Sequence, residues 1–146
     1  AGPGLRWPCN PAYGEDDQEG YLALSHGMYD GQKALRRILS TIDWTDFSPT
    51  SASHAASAEG ADEFISMALS DGRVMLALFL DDDPEFLGKE VRPTVTFRSL
   101  QRTSYRVTWH NLRTGDVLQQ DRAQGPEFSV RAPTFRTFVA AVAETY

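Results

Sequence analysis

The chain has 146 residues, 41% of them hydrophobic and 23% charged, with a net charge of −6. That composition is enough for one hydrophobic core, and the acidic balance argues against nucleic acid as a partner, because nucleic-acid binders carry a basic footprint. No apolar run approaches the roughly 18 residues that a membrane-spanning helix needs.

The first twenty residues, AGPGLRWPCNPAYGEDDQEG, hold four of the 11 glycines and three of the eight prolines. Such density predicts an extended arm, taken as residues 1–27, rather than a regular element. The stretch has no initiator Met and no signal-peptide pattern, as expected if a leader has been removed or the chain is part of something longer. Its Cys9 is the only cysteine, so no internal disulfide can form; a semi-buried free thiol is the expectation, and pairing with another chain the alternative. The acidic run GEDDQEG at 14–20 lacks the spacing of a calcium loop and reads as a solvated turn.

DGQKALRRILSTID predicts an amphipathic helix over 30–42. Leu35, Ile38, Leu39 and Ile42 fall at i, i+3, i+4 and i+7, Asp30 suits the N-cap, and Lys33, Arg36 and Arg37 take the outer face. Pro49 in WTDFSPT is the expected stop, since it pushes Ser48 away from helical angles. Residues 28–50 are thus a helix and joint. The small, polar stretch 51–61 reads as a connection or a weak edge strand.

From there to the C-terminus, 51–146, the period changes to two. Ile65, Met67 and Leu69 alternate; Asp71-Gly72 suits a tight hairpin; Val95 and Phe97 alternate with threonines. Tyr105, Val107 and Trp109 alternate with Arg106, Thr108 and His110, which places Trp109 in the core and its polar neighbours toward water. Short runs at 116–120, 127–131 and 135–142 complete the set. About seven strands, one every eight to twelve residues, predict a mainly β chain: a seven- to eight-stranded antiparallel sandwich preceded by the arm and one helix. Residues 74–80 are apolar on both faces, Val74, Leu76, Leu78 and Leu80 on one and Met75, Ala77 and Phe79 on the other. An antiparallel sheet usually leaves one face to water, so the helix stripe is expected to cover the second.

Catalytic and metal chemistry find little support. His26, His54 and His110 are not at metal-ligand spacing and there is no second Cys, so no metal or other cofactor is expected. LDDDPEF at 80–86 reads as a solubilising loop; a small hydrolase using Asp81, Asp82, Asp83 or Glu85 would need a placed partner acid, and no such acid stands out. No G-x-S-x-G elbow or phosphate-binding glycine loop is present.

Three stretches carry a resemblance: WHNLRTG at 109–115, ALRRILSTIDWTDFSPT at 34–50 and FSVRAPTFRTFVAAV at 128–142. The first resembles the W-[YF]-[DN]-P-R-[TN]-G signature of the C-terminal β-sandwich domain of apiosidase-like glycoside hydrolases, a domain also labelled a collagen-binding domain of a collagenase. The resemblance spans 28–142. Leu112 stands where the signature has proline, and Thr137-Phe138 where the family often has Asp-Trp. Trp109, Asn111, Arg113 and Gly115 match signature positions, with Trp as core anchor and Asn and Gly shaping a turn.

The resemblance implies a non-catalytic accessory module of a secreted, periplasmic or cell-surface glycan-degrading enzyme. It would support a (β/α)8 catalytic domain that holds the catalytic carboxylates, or contact polysaccharide. Leu35, Ile38, Leu39, Ile42, Trp44 and Phe47 would form the joint to that barrel. The alternative is an independent interaction subunit that docks on a partner chain through its arm and helix.

Overall fold

The computed structural model describes residues 31–82 and 89–146. The expected arm, Cys9, His26, Asp30, the acidic run at 14–20, Asp83 and Glu85 lie outside the described residues.

The described residues form a β-sandwich with one helix packed on its outside. Helix α1 covers residues 31–39. Eleven strands follow: β1 (Thr50–Ser51), β2 (Ala56–Glu59), β3 (Phe64–Ser70), β4 (Met75–Asp81), β5 (Glu90–Val91), β6 (Thr94–Phe97), β7 (Ser104–His110), β8 (Val117–Gln124), β9 (Phe128–Arg131), β10 (Phe135–Arg136) and β11 (Phe138–Thr145). One sheet has the order β1-β3-β4-β11-β7-β8, the second β2-β6-β9, and β10 pairs with β5. All pairings are antiparallel. The last strand, β11, enters between β4 and β7, so the chain's two halves are joined through it.

The count exceeds seven or eight because β1, β5 and β10 are two-residue pairings that no hydropathy pattern marks. The run expected at 135–142 is two strands, because Thr137 sits at a φ of 68° and breaks the ladder. The weak edge strand expected within 51–61 is β2, preceded by a 3-10 turn at Ser53–Ala55.

The core lies between the two larger sheets. One cross-strand row of the large sheet runs Ala68, Ala77, Ala141, Trp109. Its three small side chains leave room for bulk from the opposite sheet. Phe97 enters that space, 6.2 Å from Phe79 edge-on and 6.4 Å from Trp109, while Phe79 and Trp109 lie 6.2 Å apart. These centroid separations suit the ring quadrupoles. Tyr105, Val107, Val139 and Met75 fill the same layer and are fully buried.

The helix covers part of the outer face. Ile38, Ile42 and Phe47 form a second cluster with Ala140 and Val142 of β11, joined by Val74, Leu76, Leu78 and Leu112. The four-residue stripe does not bury as a unit, however. Ile38 and Ile42 face the sheet, Ala34 is buried beside Gly115, Leu39 is half-buried and Leu35 is 46% exposed. The helix rolls toward Ala34 because the residue that comes closest there is a glycine, Gly115, which follows β7.

The helix also ends earlier than 42, and Pro49 is not what stops it. The Ser40 hydroxyl donates to the Arg37 carbonyl, Thr41 to Ile38 and the Trp44 indole N–H to Leu39, at 2.8, 2.7 and 2.8 Å. These side chains satisfy the terminal carbonyls, and the backbone tightens into i→i+3 bonds, Thr41 to Ile38 and Ile42 to Leu39. No helix among the described residues is long and apolar enough to cross a membrane.

Replacing Ile38 by Asp should destabilise the domain by several kcal/mol, since an unpaired carboxylate would be buried, whereas Leu35→Asp should change stability by less than about 0.5 kcal/mol. Urea unfolding of the two variants measures the difference; equal losses would mean that the helix face is wrongly assigned.

Candidate functional site

The residues singled out from the sequence meet at two places: the β7–β8 turn and the helix that lies on it. Trp109 is fully buried, and its indole N–H donates to Asp121 Oδ2 at 2.8 Å, an oxygen that also accepts from Gln119. Its ring is part of the core, with no face open to a ligand. Asn111 folds the turn. Its side-chain oxygen accepts from the Arg113 N–H at 2.8 Å, its carbonyl from the Gly115 N–H at 2.7 Å, and its N–H donates to the Asp116 carbonyl at 2.9 Å. The Arg113 guanidinium lies 5.8 Å from the centre of the Phe138 ring, a cation–π contact.

Gly115 is the point of contact with the helix. Its φ is +78°, and a Cβ there would stand 2.8 Å from the Ala34 carbonyl oxygen and 2.9 Å from Arg37 Cβ. Only glycine allows this approach. Arg37 then clasps the turn, donating to the Thr114 carbonyl at 2.9 Å and pairing with Asp116 at 3.0 Å. Both charged groups of that pair are well exposed, so the clasp adds orientation more than stability.

His110 departs from the parity reading. It was expected to face water with Arg106 and Thr108, yet it is 1% exposed and Thr108 is 6% exposed. Both lie beside residues that the helix covers, His110 opposite Ala140 and Thr108 opposite Val142. Among the described residues neither His110 ring nitrogen has a hydrogen-bond partner. Burial therefore pushes the imidazole below its ordinary value, outweighing the nearby Gly115 backbone and the Glu144 charge, which favour the proton.

The expected joint residues divide into two groups. Ile38, Ile42 and Phe47 are consumed by the protein's own sheet. Leu35, Leu39 and Trp44 instead line an open groove of about 320 Å³ with Gln32, Arg36 and Ser40. Trp44 packs at 5.2 Å on Phe47 and remains 46% exposed. The neighbouring part of the sheet is apolar as well. On β3 Ile65, Met67 and Leu69 point outward, 44%, 51% and 41% exposed, while Phe64, Ser66, Ala68 and Ser70 face the core. Ile65, Met67 and Leu69 lie opposite Leu80, Leu78 and Leu76 on β4, two of which touch the helix cluster. Helix flank, β4 and β3 thus make one apolar face. Sequence reading missed the β3 row because alternation identifies two faces without saying which is inside.

The remaining candidates are scattered. Asp81 is buried at the end of β4, with its N–H bonded to the Thr137 carbonyl at 2.8 Å, and Asp82 beside it is exposed. His54 is exposed on the 3-10 turn. Among the described residues no three His, Cys, Asp or Glu side chains gather in a way that could hold a metal ion. The chain matches no protein-family model and no curated protein.

The folded state disfavours protonation of His110, so the unfolded chain binds this proton more readily. Stability should fall as pH drops below about 6.5, the ordinary imidazole value, and level off below the depressed folded value. His110→Phe should flatten this part of the profile. A wild type and variant with parallel melting-temperature profiles between about pH 4.5 and 7.5, a range that brackets the ordinary imidazole value, would contradict the assignment.

Proposed function

We propose that this domain is a non-catalytic accessory module that docks onto another folded domain through its helix-bearing face, and that the neighbour is the catalytic (β/α)8 barrel of a glycan-degrading enzyme. The observation that carries the docking is the apolar face of Leu35, Trp44, Ile65, Met67 and Leu69, each more than 40% exposed. A contiguous apolar surface of this kind marks an interaction site. The choice of a barrel as neighbour rests on the resemblance of the 109–115 turn to the sandwich domains that follow such barrels. The turn's part in the module is structural: Trp109 anchors it in the core and Gly115 seats the helix. In this reading the glycan chemistry belongs to the neighbour.

The test uses the reading frame that encodes this chain. Expressed with what lies upstream of Ala1, the amides of β3 should exchange more slowly than in the isolated domain. Met67→Glu should then cost the joined protein about 2 kcal/mol and leave the isolated domain nearly unchanged, because Met67 is open to water there. An upstream sequence with no barrel removes the glycan-enzyme reading. Equal effects of Met67→Glu on both forms would remove the docking face.

A further inference from the structure

We propose that a groove at one end of the sandwich binds an uncharged, polyhydroxylated ligand, one sugar ring in size. The groove does not share its residues with the docking face, and the proposal stands or falls separately from that reading.

The groove, of about 410 Å³, lies between the β3–β4 turn, the 3-10 turn at Ser53–Ala55 and the β6–β7 loop. Its floor is apolar, made by buried Ala52, Ala55 and Met75. Its rim carries Ser51, His54, Ser99 and Gln101, all exposed. The side chains of these four have no hydrogen-bond partner among the described residues, so donors and acceptors of both kinds are free for a ligand.

The walls are fixed from behind. The hydroxyl of fully buried Tyr105 donates to the Gly72 carbonyl at 3.1 Å and accepts from the N–H groups of Gln101 and Arg102 at 3.1 and 2.9 Å. The Gln101 N–H also meets the Gly72 carbonyl at 2.7 Å. One buried side chain thus ties the two loops that flank the opening, and a rim held in place this way loses little entropy on binding. The backbone is unusual on both sides. Ser99 has a φ of 61°, in the left-handed region that non-glycine residues rarely adopt, and Gly72 has a φ of 86°. A Cβ on Gly72 would stand 2.6 Å from Gln101 Nε2, so glycine is what lets that amide lie along the groove.

Charge selects the ligand class. The groove's one carboxylate, Asp71, is already engaged: Oδ1 accepts from the Arg73 and Val74 N–H groups, each at 2.9 Å, and Oδ2 from the Arg73 guanidinium at 3.1 Å. Arg73 is held by that bond and by the Asp46 carbonyl at 2.6 Å. The pair offers neither a bare cation for an acidic ligand nor a bare anion for a basic one. A neutral ring with hydroxyls at its edge and C–H groups on its face matches the polar rim and apolar floor.

The test is amide NMR titration with galactose, xylose and neutral oligosaccharides of each. Saturable shifts should centre on His54, Ser99 and Gln101, with dissociation constants on the order of millimolar. His54→Ala and Gln101→Ala should each weaken binding about fivefold with the melting temperature unchanged, both side chains being exposed. Tighter binding of oligosaccharides would identify a glycan chain as the ligand source, and equal binding a free sugar. The proposal is overturned if no sugar shifts these residues, or if binding survives the double variant.

Discussion

The close approach of helix α1 to the β7–β8 turn is the constraint on which the rest of the outer face depends. At Gly115 the helix backbone comes within van der Waals range of the turn, and no side chain other than hydrogen fits between them. That contact sets how the helix rolls. It places Ala34 against the turn and Ile38 and Ile42 on β11, and it leaves Leu35 and Leu39 on the far flank. Arg37 falls on the near flank, where Thr114 and Asp116 receive it. The burial of His110 follows as well, because the helix covers Ala140 of β11, its cross-strand neighbour.

The same constraint produces the surface that carries the functional proposal. A helix held over β11 and part of β4 cannot also cover β3, so Ile65, Met67 and Leu69 stay open. The inner face needs small residues in that strand, because Phe97 and the aromatic layer occupy the space opposite its Ala68 row. Ile65, Met67 and Leu69, of the opposite parity, therefore point outward, while Phe64 at the strand's start packs on the core. An apolar strand in this position is costly for an isolated domain and useful for one with a neighbour.

Much of this was legible in the sequence where the determining forces are local. The period-two runs gave the main strands, the two-faced run at 74–80 called for a covering element, and the only strongly amphipathic segment supplied it. The parity of Tyr105, Val107 and Trp109 identified a core face because all three are large and their neighbours polar. What the sequence could not show depends on contacts between distant segments. His110 and Thr108 are polar residues buried by a helix some seventy positions away (a long-range packing effect that outweighs local pattern). Ala34 reads as neutral in any hydropathy pattern, yet it is the residue the helix turns inward. The groove joins residues near 50, 70 and 100, which the sheets bring together and which share no motif.

The most direct test of the helix-on-turn constraint compares two glycines of similar backbone geometry. Gly115 and Gly125 both have positive φ, +78° and +97°, but a Cβ on Gly125 would meet nothing closer than the Glu127 carbonyl at 3.4 Å. Alanine at either site carries the backbone strain of about 1 kcal/mol; only at Gly115 does it also strike the helix. Hydrogen exchange of the α1 amides reads the difference. Gly115→Ala should abolish helix protection while β4 and β11 remain protected, and Gly125→Ala should leave the helix as it is. Unchanged helix protection in Gly115→Ala would contradict the account.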